Sequence, residues 1–129
     1  MKTDAQRTEL DHLTERVIGC AFEVSNTLGC GFLEKVYENA LAIELRRAGM
    51  RVEQQKLIQV HYKGKLVGEC VLDLLIGDAV IAEVKAIDAL DQAHAAQCLN
   101  YLKATEHPVC LLFNFGRPRV QTKRFVRDF

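Results

Sequence analysis

The run Ala79-Val80-Ile81-Ala82-Glu83-Val84-Lys85-Ala86 constrains this chain more than any other segment. Its residues are mostly β-branched or small, and both faces are apolar except at two positions. Such a pattern predicts a central strand covered on both sides. Strand side chains alternate, so Glu83 and Lys85 share one face and Val84 takes the other. Two charges on one face of a buried strand are costly unless they are paired or used.

The elements around it follow from periodicity. Leu10, Leu13, Val17, Ala21, Val24 and Leu28 are spaced as one face of a helix over 8–28 that ends at Leu28-Gly29. A second helix over about 32–48 carries Leu33, Val36, Tyr37, Ala40, Leu41 and Leu45, and Gly49 closes it. Strands are predicted over 57–62 and 66–76, with Gly68 a candidate bulge, and over 79–86. A third helix spans about 88–104 with Asp88 as its N-cap, and strands 109–113 and 120–126 complete the chain. The order is ααβββαββ. The expected fold class is α/β (α+β), a mixed β-sheet flanked by helices, in a single domain over 1–129.

Composition narrows the function classes. The 129 residues are 49% hydrophobic and 26% charged, which argues against disorder. No apolar run approaches the ~18 residues of a membrane span, and the polar N-terminus does not read as a signal peptide, so the expected location is cytoplasmic, with no membrane partner. Five cysteines, at 20, 30, 70, 98 and 110, are odd in number and form no CxxC pair. They are expected to be small buried hydrophobes rather than a disulfide framework or a zinc site.

Asp73 is the one charge in the apolar run Val71-Leu72-Asp73-Leu74-Leu75-Ile76, and Gly77-Asp78 predicts a tight hairpin into the central strand. A three-residue loop over 77–79 pairs Ile76 with Val80 and sets Asp73 opposite Glu83. A two-residue loop would instead send Glu83 to the other side of the sheet. The first register is the expectation. It gathers two carboxylates and a lysine, a set suited to Mg²⁺ (or Mn²⁺) and to phosphodiester hydrolysis. The lysine would orient or deprotonate the attacking water, or stabilise developing charge. The competing reading is a structural ion pair of Lys85 with Glu83 or Asp73.

Further polar residues fall on neighbouring elements. His94, Gln97 and Tyr101 share one face of the third helix. Gln97 and Tyr101 either hold a phosphate or the scissile strand beside a metal site, or form a partly exposed polar helix edge with Tyr101 in the core; His94 is expected at the surface or behind the ligands. Glu34, in the first turn of the second helix, either complements the helix dipole or supplies a third carboxylate. Tyr37 is expected to pack between that helix and the sheet.

Gly31-x-x-Glu34-x-x-Tyr37 resembles the signature of the GxxExxY protein family, placed in the PD-(D/E)XK nuclease superfamily. Asp73 followed by Glu83-x-Lys85 resembles that superfamily's core motif, and Gln97-x-x-x-Tyr101 its QxxxY motif. The similarity extends over roughly residues 10–126, including Leu111-Leu112-Phe113-Asn114-Phe115-Gly116. It implies a restriction-endonuclease-like core with metal at Asp73 and Glu83. Glu34 would be the helix acid, Lys85 the catalytic lysine, and Gln97 and Tyr101 accessory residues. Leu72 stands where the superfamily's name has proline. The implied activity is metal-dependent hydrolysis of DNA, structure- or end-directed, by a dimer or with a partner protein. The alternative is a non-catalytic nucleic-acid-binding or protein-interaction module on the same fold.

The net charge of zero, 17 basic against 17 acidic residues, hides an asymmetry. Residues 117–129 hold five basic residues against Asp128, a net of +4, so residues 1–116 carry −4. Arg117, Arg119, Lys123 and Arg124 are therefore candidate phosphate contacts.

Overall fold

The computed structural model describes residues 2–127, so Asp128 lies outside the described residues. Helix α1 spans Asp4–Leu28 and α2 Glu34–Arg47; strands β1 (Val52–Tyr62), β2 (Lys65–Ile76) and β3 (Val80–Lys85) follow. Helix α3 (Gln92–Thr105), β4 (Val109–Asn114) and β5 (Gln121–Val126) complete the expected order. Helix α1 begins earlier than its apolar stripe because Thr3 and Gln6 form a reciprocal cap. It stops where Gly29 turns to φ +69°. Helix α3 begins later than expected: its N-cap is Asp91, not Asp88, and Asp91 accepts from the amides of Ala93 and His94.

The sheet order is β1-β2-β3-β4-β5, which places β3 in the middle. Only β3 and β4 run parallel, and α3 makes the crossover between them. Val80, Ala82 and Val84 pack with Leu111 and Phe113 against Val17, Ala21, Leu41 and Leu45 of α1 and α2. On the opposite face, Ile81, Cys110 and Leu112 pack against Cys98, Tyr101 and Leu102 of α3. Each fully buried aliphatic side chain contributes about 1.5–3 kcal/mol, which is why a strand apolar on both faces takes this position.

The β2–β3 register is Ile76↔Val80, Leu75↔Ile81 and Leu74↔Ala82, around the three-residue loop 77–79. Gly77 and Asp78 both adopt positive φ, and Ile76 O accepts from the Ala79 amide at 3.1 Å. Pairing of β1 with β2 continues far past β3, to Tyr62↔Lys65, so the two form an arm projecting beyond the sheet. Between Val60↔Gly68 and His61↔Leu66 the register shifts and Val67 is the extra residue, a bulge beside Gly68.

One expectation about the cysteines is corrected. Only Cys98 and Cys110 are buried; Cys20 and Cys70 are partly covered and Cys30 is exposed, because it lies in the loop between Gly29 and Gly31.

Candidate active site

Extending the β2–β3 register by one step brings Asp73 opposite Glu83, where the paired register ends. There the side chains take over from the backbone. The Asp73 amide donates to Glu83 Oε2 at 2.8 Å, and the Val84 amide donates to Asp73 Oδ2 at 2.9 Å. Each carboxylate is thus tied to the other strand, and these bonds engage one oxygen of each.

The chain departs from regular alternation at this level. Leu72 and Leu75 both face α3, whereas Leu74 and Ile76 face α1 and α2. On β1, Gln55 adopts φ +52°, between the Gln54↔Leu74 and Lys56↔Leu72 pairs. Both strands therefore bend at Gln55 and Asp73, leaving a gap in the ladder that the acids occupy.

Burial dominates the electrostatics. It raises Glu83 to about 8, with the neighbouring Asp73 charge adding to the shift and the Asp73 amide and Lys85 opposing it. Burial also raises Asp73, against the Val84 hydrogen bond. Partial desolvation raises Glu34, and Lys85 opposes that too. Lys85 is thus the cation within electrostatic reach of Glu34, Asp73 and Glu83. Among the described residues it forms no salt bridge with any of them.

Glu38 was not singled out from the sequence, yet it is buried within α2 beside this group. It accepts from Lys35 at 3.0 Å, Gln54 at 2.9 Å and Gln55 at 2.9 Å. Its charge contributes to raising Asp73, while Gln55 also hydrogen-bonds Asp73 and lowers it. The signal available in the sequence was spacing: Glu38 lies four residues after Glu34, on the same side of the helix.

The surrounding motifs are anchors. Tyr37 is fully buried; its hydroxyl donates to Gly29 O at 2.6 Å and accepts from the Phe32 amide at 3.2 Å. Its ring stacks on Phe115 at 4.9 Å. Gly31 adopts φ +113° in the same loop, so the glycine and tyrosine of Gly31-x-x-Glu34-x-x-Tyr37 fix the entry to α2 and hence Glu34. Beyond β3, Phe115 N donates to Lys85 O at 2.8 Å. Buried Asn114 bonds both the amide and the carbonyl of Ile87.

The remaining candidates fall into separate places. Gln97 and Tyr101 line a groove between α3 and the β1–β2 arm, together with Cys70. Burial raises Tyr101, and the charges of Glu83 and Asp73 add to it. His94 Nδ1 accepts from the Asp91 amide, so His94 completes a helix cap. Arg117 donates to Asp88 O at 3.1 Å, in the loop that follows Lys85, and Arg119 is exposed in the adjoining loop. Arg124 instead pairs with Asp11 of α1 at 2.8 Å. Lys123 is exposed on the edge strand β5. Lys123 and Arg124 are successive on β5, so strand alternation sends them to opposite faces of the sheet.

Residues 11–125 match the family model described as the PD-(D/E)XK nuclease superfamily. The chain belongs to the PD-(D/E)XK nuclease superfamily. Its function is accordingly of nuclease type, and its three helices and five-stranded mixed sheet are those of a restriction-endonuclease-like fold. No curated protein and no solved structure matches the chain. No described helix is long and apolar enough to cross a membrane.

PD-(D/E)XK nucleases generally use divalent metals. Among the described residues, no group of three or more His, Cys, Asp or Glu side chains stands ready-made to hold a metal ion. The donor set nevertheless fits a hard cation that keeps much of its water. Mg²⁺ is usually held by one or two carboxylates, with water and substrate phosphate filling the shell. Asp73 and Glu83 supply such a pair, positioned by each other's strands.

Proposed function

We propose that this PD-(D/E)XK protein hydrolyses phosphodiester bonds in DNA, with Asp73 and Glu83 holding Mg²⁺ or Mn²⁺ and Lys85 acting in the reaction. The observation that carries this reading is the crossed pair of bonds between Asp73 and Glu83 at the point where the β-ladder opens. When bound, the cation lowers the pKa of a coordinated water and stabilises negative charge on a phosphoryl oxygen.

The chain's own groups do the rest. Asp73 and Glu83 offer oxygens to the cation and present it at the open end of the sheet. Lys85 lies beside them, and its ammonium holds the attacking water or the charge developing on the phosphate. Glu34, one helix turn before Glu38, supports the acidic cluster from α2 and is the third proposed metal-site carboxylate. Gln97 and Tyr101 contact the scissile strand, and Arg117 and Arg119 contact phosphate beside the loop after Lys85. Lys123 and Arg124 contact flanking phosphates from the edge strand. Cleavage is directed by structure or by ends rather than by sequence. A second copy or a partner protein assists target choice.

The test is cleavage of single-stranded, duplex and branched DNA with Mg²⁺ by the parent and by Asp73→Ala and Lys85→Ala. Cleavage by the parent alone supports the reading. Equal cleavage by all three proteins would assign the activity to a contaminant.

A further inference from the structure

A groove of about 540 Å³ runs between α3 and the β1–β2 arm. Its helix wall presents Gln97, Asn100 and Tyr101, with Lys103 at the rim, and its arm wall presents Val60, His61 and Cys70. The bulge in the arm adds local twist at the Val60/His61 step, where these two consecutive residues both border the groove. No carboxylate lines it, although the chain carries as many acids as bases. Its inner end lies toward the acidic pair, because the Tyr101 hydroxyl donates to Val71 O at 3.5 Å, two residues before Asp73 on β2. Its arm wall continues outward into Tyr62, Lys63 and Lys65 at the arm's tip, where the Lys63 ammonium lies 5.3 Å from the Tyr62 ring centre. From Leu74 to Lys65 the arm extends ~30 Å at the usual rise of an extended strand.

We infer that this groove is a binding track for one single strand of DNA leading away from the cleaved phosphodiester. The inference rests on the proposed nuclease reading of Asp73 and Glu83, and names the form of its substrate. An apolar floor flanked by hydrogen-bonding side chains and one rim lysine suits a single strand, which exposes both base faces and phosphates. A duplex hides its base faces and offers mainly backbone charge, which a groove with a single lysine at its rim matches poorly. His61, Asn100 and Lys103 are the contacts assigned here. All three are exposed, so replacing them leaves the core intact.

The experiment measures fluorescence anisotropy of a labelled single-stranded oligodeoxynucleotide, and of the same sequence as a duplex, in chelator. The parent is compared with His61→Ala, Asn100→Ala, Lys103→Glu and Lys103→Arg. The parent is expected to prefer the single strand. His61→Ala and Asn100→Ala are expected to weaken it about fivefold and Lys103→Glu about tenfold or more. Lys103→Arg is expected to stay near the parent value. Loss of the Lys103 charge should flatten the slope of log K against log salt by about 0.7, the value for one phosphate contact on a single strand. Parent-like affinity in all three weakened variants, or a parent preference for duplex, overturns the inference. An extended-peptide groove would give the first of these results. The two readings separate cleanly: binding lost in these variants with no cleavage by the parent in Mg²⁺ keeps the track and removes the nuclease chemistry. Metal-dependent cleavage with unaltered binding does the reverse.

Discussion

Asp73 and Glu83 hold each other's strands, the Asp73 amide on Glu83 Oε2 and Asp73 Oδ2 on the amide next to Glu83. The acids therefore close the sheet where its own ladder has stopped, and at the same point they present oxygens outward. Their structural and chemical roles can be separated by isosteric change. Asp73→Asn and Glu83→Gln keep an acceptor oxygen for each amide but lose the charge. Both are expected to fold and to lose about 10²–10³-fold in Mg²⁺-dependent cleavage, as is Lys85→Ala. Circular dichroism and initial rates on a labelled DNA check the two halves of this expectation.

The elevated Glu83 carboxyl gives metal-free stability a sign. Between its ordinary value of 4.5 and about 8, the folded protein retains a proton that the unfolded chain releases. Stability is then highest at the acid end of that window and falls as pH rises through it. Asp73 and Glu34 are raised and act in the same direction. In chelator, Tm is expected to fall on the order of 5–10 °C from pH 5 to pH 8. Glu83→Gln should flatten most of that slope, which thermal melts across the range will read. Added Mg²⁺ should raise Tm more at pH 8 than at pH 6, because binding requires the ionised carboxylates.

The hairpin register was legible because Gly77-Asp78 and the apolar pattern left only two pairings, and only one placed the acids together. The central strand was legible because residues 79–86 are apolar on both faces but for Glu83 and Lys85, a pattern that residues 109–113 of the adjoining β4 repeat without charges. The bend at Gln55 was not, since nothing in Val52–Tyr62 marks a residue that will take φ +52°. Glu38 was hidden because an acid on α2 reads as its solvent side until Gln54 and Gln55 arrive from β1. The placement of the basic C-terminal run was not legible either: a charge count does not show the strand alternation that sends Arg124 to Asp11.

Glu38→Ala removes the acceptor for three donors in a buried setting. A cost of about 1–2 kcal/mol is expected from the lost bonds, because Gln54 keeps Asn39 Oδ1 as a partner and the exposed Gln55 and Lys35 turn to water. Glu38→Gln keeps one acceptor and should cost less. Urea denaturation orders the two variants.

Tyr37→Phe keeps the stacking on Phe115 but strips two bonds from the loop before α2. About 1–3 kcal/mol of stability should be lost. Because that loop sets the first turn of α2 and with it Glu34, kcat is expected to fall further than a remote substitution of equal cost would cause.

Gly116→Ala is expected to be the most damaging small change. A Cβ there would stand 2.2 Å from Ile87 O, and the obstacle is backbone, which cannot rotate aside. Loss of soluble expression, or a Tm lowered by well over 10 °C, is the expected outcome.

That close approach of Gly116 to Ile87 shows how the labour is divided along the chain. The acids and the lysine all come from residues 34–85, but the backbone that fixes the end of β3 comes from 111–116 on the far side of α3. A ribosome that has released only the first hundred residues has therefore already made every charged group of the proposed centre, with the parallel neighbour of β3 still unmade. The centre assembles only once residues 109–116 have emerged, so a product truncated before them would carry its reactive residues without the means to aim them.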